Sequence, residues 1–127
     1  MNKAEKRDFS SPVLAFTGDA VYSLFVREAL AREANRPSKA LHSLAVEEVR
    51  AAAQSRAYRL LLPLLTEVEA AVIRRGRNSH CGEPPHGASR VEYQEATGVE
   101  CLFGWLWLTG RENRARELFS EIRQDAA

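Results

Sequence analysis

A long apolar run near the start of this sequence contains a single carboxylate. Between Asp8 and Arg27 the only charged residue is Asp19. A lone carboxylate in such a run is costly to desolvate unless a donor, a cation or a metal compensates its charge. The apolar residues around it recur at helical intervals. These residues are Val13, Leu14, Ala20, Val21, Leu24 and Phe25. The run predicts a well-packed helix with a site at Asp19.

The remaining chain also predicts helices, because no segment combines period-two alternation with enrichment in β-branched residues. Pro12 suits the first turn of a helix that Ser10 or Ser11 caps and that extends to about Glu33. Thr66 has the position of a capping-box residue for a later helix. We expect the further helices to cover roughly residues 38–42, 43–62, 66–75, 91–108 and 112–123, and residues 78–89 to form an exposed loop.

Composition indicates an ordinary globular protein. With 127 residues, 45% of them apolar and 28% charged, we expect one all-α domain over residues 1–127. The net charge of +1 does not indicate a partner. Cys81 and Cys101 have neither disulfide-framework nor four-thiolate zinc spacing, which suits a reducing compartment. A charged N-terminus and the interruption at Asp19 argue against secretion and membrane insertion, so we expect a cytoplasmic protein.

A second carboxylate repeats the pattern of Asp19 in the fifth predicted helix. Within residues 97–109 the only charged residue is Glu100. Both acids follow shortly after a glycine, Gly18 and Gly98. Glycine disfavours helices, so a helical glycine usually allows two helices to approach closely. We expect the two helices to cross near these glycines and to bring Asp19 and Glu100 together.

Two neighbouring carboxylates in apolar surroundings repel each other, and both resist ionisation. A hard divalent cation such as Mg²⁺ removes this difficulty, because it binds carboxylates together with water and phosphate oxygens. The alternative is that each acid caps a neighbouring helix or pairs with a buried arginine. The spacing of Asp19 and Glu100 leaves both interpretations open.

Three motifs resemble those of the ribonuclease III family. Residues 14–22 resemble its signature helix, which carries an aromatic, a small or apolar residue, glycine and then aspartate. Residues 96–104 resemble its second catalytic helix, where a glutamate precedes an Ala-Leu-Ile-Gly-like run. Residues 74–78 resemble a basic segment typical of Mini-III, the short bacterial branch without a double-stranded RNA-binding domain. The order and spacing of the motifs agree with the family over nearly the whole chain.

The resemblance implies an all-α, Mg²⁺-dependent endoribonuclease that cleaves double-stranded RNA with metal-activated water. It implies that Asp19 and Glu100 are the catalytic and metal-binding residues. It also implies a homodimer formed through the signature helices, and a role in maturing the ends of large-subunit (23S) ribosomal RNA. Full-length members carry further acids where this chain has Pro12, Ala15 and Thr97, and such losses are typical of Mini-III.

The segment from residue 73 to residue 90 contains four arginines and one acid. Arginine binds two phosphate oxygens at once, and duplex RNA is recognised mainly through phosphates and 2′-hydroxyls. The alternative is a solvated helix end whose arginines interact with the helix dipole. The resemblance favours RNA contact. The predicted RNA-binding residues are Arg74, Arg75, Arg77, Asn78 and Arg90.

Other functions are weaker interpretations. His80, Cys81 and His86 are too few and too crowded in one loop to predict a zinc site. A catalytically silent RNA-binding or ribosome-assembly module would retain the arginines but would not need both acids. A nucleotide pyrophosphohydrolase normally needs several acids on neighbouring helices, whereas Glu47 and Glu48 are the only adjacent pair in the body of this chain.

Overall fold

The computed structural model describes residues 9–79 and 82–126, and the regular secondary structure of these residues is entirely helical. His80 and Cys81, two of the three zinc candidates, lie outside the described residues. The helices are α1 (Ser11–Glu33), α2 (Ser38–Val49), α3 (Ala51–Leu61), α4 (Glu67–Arg77), α5 (Arg90–Leu108) and α6 (Glu112–Ala126), with a 3-10 turn at Leu62–Leu64. The predicted all-α fold is confirmed.

Several helix ends follow from side-chain caps. Ser10 caps α1, and Thr66 forms the predicted capping box with Glu69 at the start of α4. A second capping box, between Ser89 and Glu92, begins α5 and was not predicted. These caps satisfy backbone N–H groups that the first helical turn leaves without partners.

The prediction was wrong about the break between the second and third helices. The chain continues helically past residue 42 and breaks at Arg50, whose backbone is extended (φ −67°, ψ 158°). No proline or glycine marks this position. The break lets α3 change direction, so that Ala57, Tyr58 and Leu61 become buried in the core.

Helix α5 lies at the centre of the fold and contacts α1, α3, α4 and α6. Its residues Val99, Leu102, Phe103 and Leu106 have no exposed surface. Phe103 packs edge to face against Tyr22 of α1, with ring centroids 5.2 Å apart. The residues of α5 that do not face the core therefore belong to a helix that is packed in place on most of its surface.

The crossing of α1 and α5 depends on two glycines. A Cβ atom added at Gly18 would lie 1.6 Å from the carbonyl oxygen of Glu100. One added at Gly104 would lie 2.0 Å from the carbonyl oxygen of Leu14. Only glycine allows the two backbones to approach this closely.

The predicted crossing of Gly18 with Gly98 is wrong, because Gly98 packs against α4. A Cβ atom at Gly98 would lie 2.7 Å from the carbonyl oxygen of Ile73, and one at Gly76 would lie 2.7 Å from the Cβ of Cys101. Two glycine crossings thus hold α5, one against α1 and one against α4. Within the described segments, no helix combines the length and the apolar character needed to cross a bilayer.

Candidate active site

The structure brings the two predicted carboxylates together. Gly18 packs on the backbone of Glu100, and Asp19, the next residue, consequently lies beside the Glu100 side chain. The Asp19 carboxyl group is close enough to Glu100 to raise its pKa. They line one open depression together with Pro12, Ala15 and Phe16. The close helix crossing therefore positions both acids at the same point on the surface.

The exposure of the pair differs from the apolar surroundings that the sequence predicts for both acids. Asp19 is exposed and Glu100 is half-buried. The reason is that α1 has two apolar faces, of which only one packs on the core. The other face is left open, with Val13, Phe16 and Leu24 exposed by 47%, 83% and 49%. Helical periodicity identified the apolar residues but could not show which of them the chain itself covers.

Electrostatics distinguish Glu100 from an ordinary surface glutamate. Burial is the largest cause that raises the pKa of Glu100, and together with the negative charge of Asp19 and hydrogen bonding to that carboxyl group it brings the pKa to about 8. No cationic side chain among the described residues offsets this effect at Glu100. Near neutral pH, Glu100 therefore keeps a proton, which offsets part of the negative charge of the pair. A bound cation would offset that charge in its place.

Two carboxylates on an open depression are a donor set that suits a hard divalent cation. Their proximity raises the cost of ionising both, and a cation would remove that cost. Within residues 9–79 and 82–126, no group of three or more histidine, cysteine or acidic residues is arranged to hold a metal. The described protein groups can thus fill only part of an octahedral shell, which leaves positions for water and phosphate oxygens.

Two other acids, Glu69 and Glu95, are buried and bound by arginine side chains, as is usual for a carboxylate with a structural role. Glu69 is 5% exposed and accepts hydrogen bonds from Nε and Nη2 of Arg114, each 2.9 Å long. Glu95 is 6% exposed and accepts from Ser55 Oγ at 2.7 Å and from Arg59 at 3.2 Å. Both are paired with an arginine, whereas no arginine among residues 9–79 and 82–126 pairs with Glu100. Sequence reasoning did not identify Glu69 and Glu95 as buried acids.

The predicted RNA-binding residues lie at the C-terminal end of α4 and the start of α5. Arg74, Arg75, Asn78 and Arg90 are exposed, and Arg77 is half-buried. Arg77 donates a hydrogen bond of 3.2 Å to Asn78 Oδ1, so these two side chains point toward each other.

The end of α4 lies beside the start of α1. Arg75 donates a hydrogen bond to the backbone carbonyl of Phe9, which precedes α1. Pro12, in the first turn of that helix, lines the carboxylate depression. Arg90 is farther along the chain and lies 3.7 Å from Glu83. The structure thus brings the arginine segment and the carboxylate pair to neighbouring parts of the molecule.

Comparisons with known proteins identify relatives over most of the chain. Residues 12–111 match the family model of the ribonuclease III domain. The chain is 41% identical over 106 residues to "Mini-ribonuclease 3" of Thermoanaerobacter sp. (strain X514), covering 84% of this chain and 75% of that protein. It is 42% identical over 114 residues to "Mini-ribonuclease 3" of Symbiobacterium thermophilum, covering 90% and 85%. An X-ray crystal structure of protein FN1578 from Fusobacterium nucleatum superposes with a TM-score of 0.86 at 25% identity, covering 97% of this chain and 98% of that one.

Proposed function

The chain belongs to the ribonuclease III family, in its Mini-ribonuclease 3 branch, and on this premise we propose that it cleaves double-stranded RNA at a metal site formed by Asp19 and Glu100. Family membership makes the protein an endoribonuclease. The observation that carries the proposed site is the carboxylate pair on one depression, where no arginine among the described residues pairs with Glu100, in contrast to Glu69 and Glu95.

Magnesium is the proposed cation, because both protein ligands would be carboxylate oxygens. When bound, it supplies a water of lowered pKa and offsets negative charge on the phosphate. Asp19 and Glu100 would hold it. Glu100 must release its proton to do so, and its backbone is fixed against Gly18. The helix crossing therefore places this ligand before RNA arrives, which reduces the cost of assembling the site.

The arginine segment is the proposed contact for the RNA backbone. Arg74 is exposed and forms no ion pair within the described residues, so its guanidinium is available to a phosphate. Arg75, Arg77, Asn78 and Arg90 would extend the contact along the same side. Their recognition of duplex RNA would be through phosphates and 2′-hydroxyls, not through base edges.

A second copy of the chain is the proposed cover for the open face of α1. Val13, Phe16 and Leu24 form an exposed apolar stripe beside Asp19, and a stripe of this kind is typical of an interface. A two-fold arrangement would place two carboxylate pairs on one duplex. We also propose, from the resemblance to Mini-III, that the natural substrate is a precursor of 23S ribosomal RNA.

Incubation of the protein with long duplex RNA and Mg²⁺ tests the proposed function. The parent should cleave the duplex, and a chelator should stop cleavage. Asp19→Asn should still bind the duplex but should not cleave it, because the amide is a poorer ligand for a hard cation. Asp125→Asn is the matched control, since this acid lies near the end of α6, and its cleavage should equal that of the parent. A parent that cuts no duplex RNA with any divalent metal, or an Asp19→Asn variant that cuts normally, would refute the proposal.

A further inference from the structure

The start of α1, residues 9–12, is held by a side chain from α4. Arg75 donates a hydrogen bond from Nη2 to the backbone carbonyl of Phe9. Phe9 precedes Ser10, the residue that caps α1, so its carbonyl takes no part in the hydrogen bonds within that helix. The bond from Arg75 therefore fixes a part of the chain that α1 does not hold by its own hydrogen bonds.

A second hydrogen bond reaches the same segment from α5. The thiol of Cys101 donates to the backbone carbonyl of Ser11 at 3.4 Å. Cys101 follows Glu100 in the chain, and its side chain is buried. The start of α1 is thus bonded both to the helix that carries Glu100 and to the helix that carries the arginine segment.

The close packing of α4 on α5 explains why Arg75 reaches α1. A Cβ atom added at Gly76 would lie 2.7 Å from the Cβ and 2.8 Å from the Sγ of Cys101. The missing side chain at Gly76 lets the end of α4 approach α5 beside Glu100. Arg75 directly precedes Gly76, so the same approach brings its guanidinium group to the carbonyl of Phe9.

The start of α1 forms one wall of the carboxylate depression, through Pro12. The crossing with α5 holds α1 at Leu14 and Gly18, farther along the helix. Residues 9–12 precede both positions, and the ends of helices fray unless other contacts hold them. The hydrogen bonds from α4 and α5 supply these contacts.

We propose that Arg75 is a positioning residue for RNA cleavage, because it holds the wall of the depression against which the RNA phosphate would lie. Its neighbour Arg74 forms no hydrogen bond or ion pair within the described residues, so the two arginines would have different roles. Arg74 would bind RNA, whereas Arg75 would also keep the site in shape. A guanidinium group has five N–H donors, so the bond to Phe9 is compatible with the RNA contact proposed for Arg75. The inference rests on the proposed function, because the reaction at the depression is the cleavage of duplex RNA.

Single-turnover cleavage of a duplex RNA, with Mg²⁺ and protein both saturating, separates positioning from binding. Arg75→Ala should cleave bound RNA about fivefold more slowly, because a misplaced phosphate reacts more slowly even when the RNA is fully bound. Arg74→Ala, the matched control, should weaken binding and leave the rate of cleavage of bound RNA near that of the parent. Arg75→Lys should recover most of the lost rate, because its ammonium group can still donate a hydrogen bond to a carbonyl.

Amide hydrogen exchange without RNA and metal tests the structural step directly. The N–H groups of Val13 and Leu14 bond to the side chain and the carbonyl of Ser10, so they report on the start of α1. Their exchange should be about fivefold faster in Arg75→Ala than in the parent, because the segment before α1 is released. Arg74→Ala should leave it unchanged. Amides in the middle of α5 should exchange alike in all three proteins, which would exclude a general loss of stability.

Each outcome decides a separate point. If Arg75→Ala weakens binding as Arg74→Ala does and cleaves bound RNA at the parent's rate, Arg75 is an RNA contact alone and the positioning proposal is wrong. The proposal is also wrong if the exchange of Val13 and Leu14 does not change, because Arg75 would then not hold the start of α1. If the parent cleaves no duplex RNA, the proposed function is wrong and the role in cleavage fails with it, whereas faster exchange would still show that Arg75 holds the segment.

Discussion

Glu100 should lower the stability of the metal-free protein at neutral pH, and Glu100→Gln should restore it. In the folded chain, burial first and then Asp19 raise the pKa of Glu100 from its ordinary 4.5 to about 8. The unfolded chain ionises near the ordinary value, whereas the folded chain keeps the proton. The contribution of Glu100 to stability is thus fully present below a pH of about 4.5 and is lost as the pH rises toward about 8.

The size of the effect follows from the pKa difference. Each unit corresponds to about 1.4 kcal/mol, so the pH interval from 4.5 to 7 accounts for about 3 kcal/mol. Partial exposure of the carboxyl group reduces this to about 2 kcal/mol through solvent screening. Glutamine has nearly the same shape, does not titrate, and can donate a hydrogen bond to Asp19. At pH 7 without metal, the variant should therefore be more stable than the parent by about 2 kcal/mol.

Urea unfolding in the presence of a chelator measures this difference, at one protein concentration because a dimer's stability depends on it. The gain from Glu100→Gln should increase between about pH 5 and pH 8. Glu83→Gln, an exposed control, should show no such increase. Saturating Mg²⁺ should stabilise the parent more than the variant and reduce the gap. If the gain from Glu100→Gln does not change across this pH range, the reasoning about the pair is wrong.

Two further predictions concern the helix crossing and the open face of α1. Gly18→Ala and Gly104→Ala should each destabilise the protein by about 3 kcal/mol or more, because the added Cβ would lie 1.6 Å from the Glu100 carbonyl and 2.0 Å from the Leu14 carbonyl. Urea unfolding measures this, and midpoints equal to the parent's would contradict the crossing. Phe16→Asp should convert the proposed dimer into a folded monomer, as measured by sedimentation equilibrium, because this side chain is 83% exposed in the single chain. An unchanged dimer would place the interface elsewhere.

The helices and the chemistry at their ends were largely predictable from local sequence. Pro12 and the serine at position 10 mark the start of α1, and the capping box at Thr66 marks that of α4, because these signals act over a single helical turn. The break at Arg50 was not predictable in this way. Nothing local to Arg50 stops a helix, and the change in direction is set by how α3 packs on α5.

The proximity of Asp19 and Glu100 was also predicted, from two lone acids beside glycines, and the structure brings the two side chains into contact. The roles of these acids, and of Arg74 and its neighbours, remain proposals. Gly18 does mark a close crossing, but the glycine of α5 that meets α1 is Gly104 and not the predicted Gly98. Both glycines lie on one helix, and only the packing of α5 shows which faces α1.

Sequence alone determined that the chain is helical, that its apolar run forms one long helix, and that two acids lie within apolar segments. These properties depend on side-chain type and on the helical period, which are local. Helix packing decided that Asp19 is exposed, that Glu100 carries the raised pKa, and that one apolar face of α1 is left uncovered by the described part of the chain. Burial and charge environment depend on residues distant in sequence, so they exist only once the helices have packed.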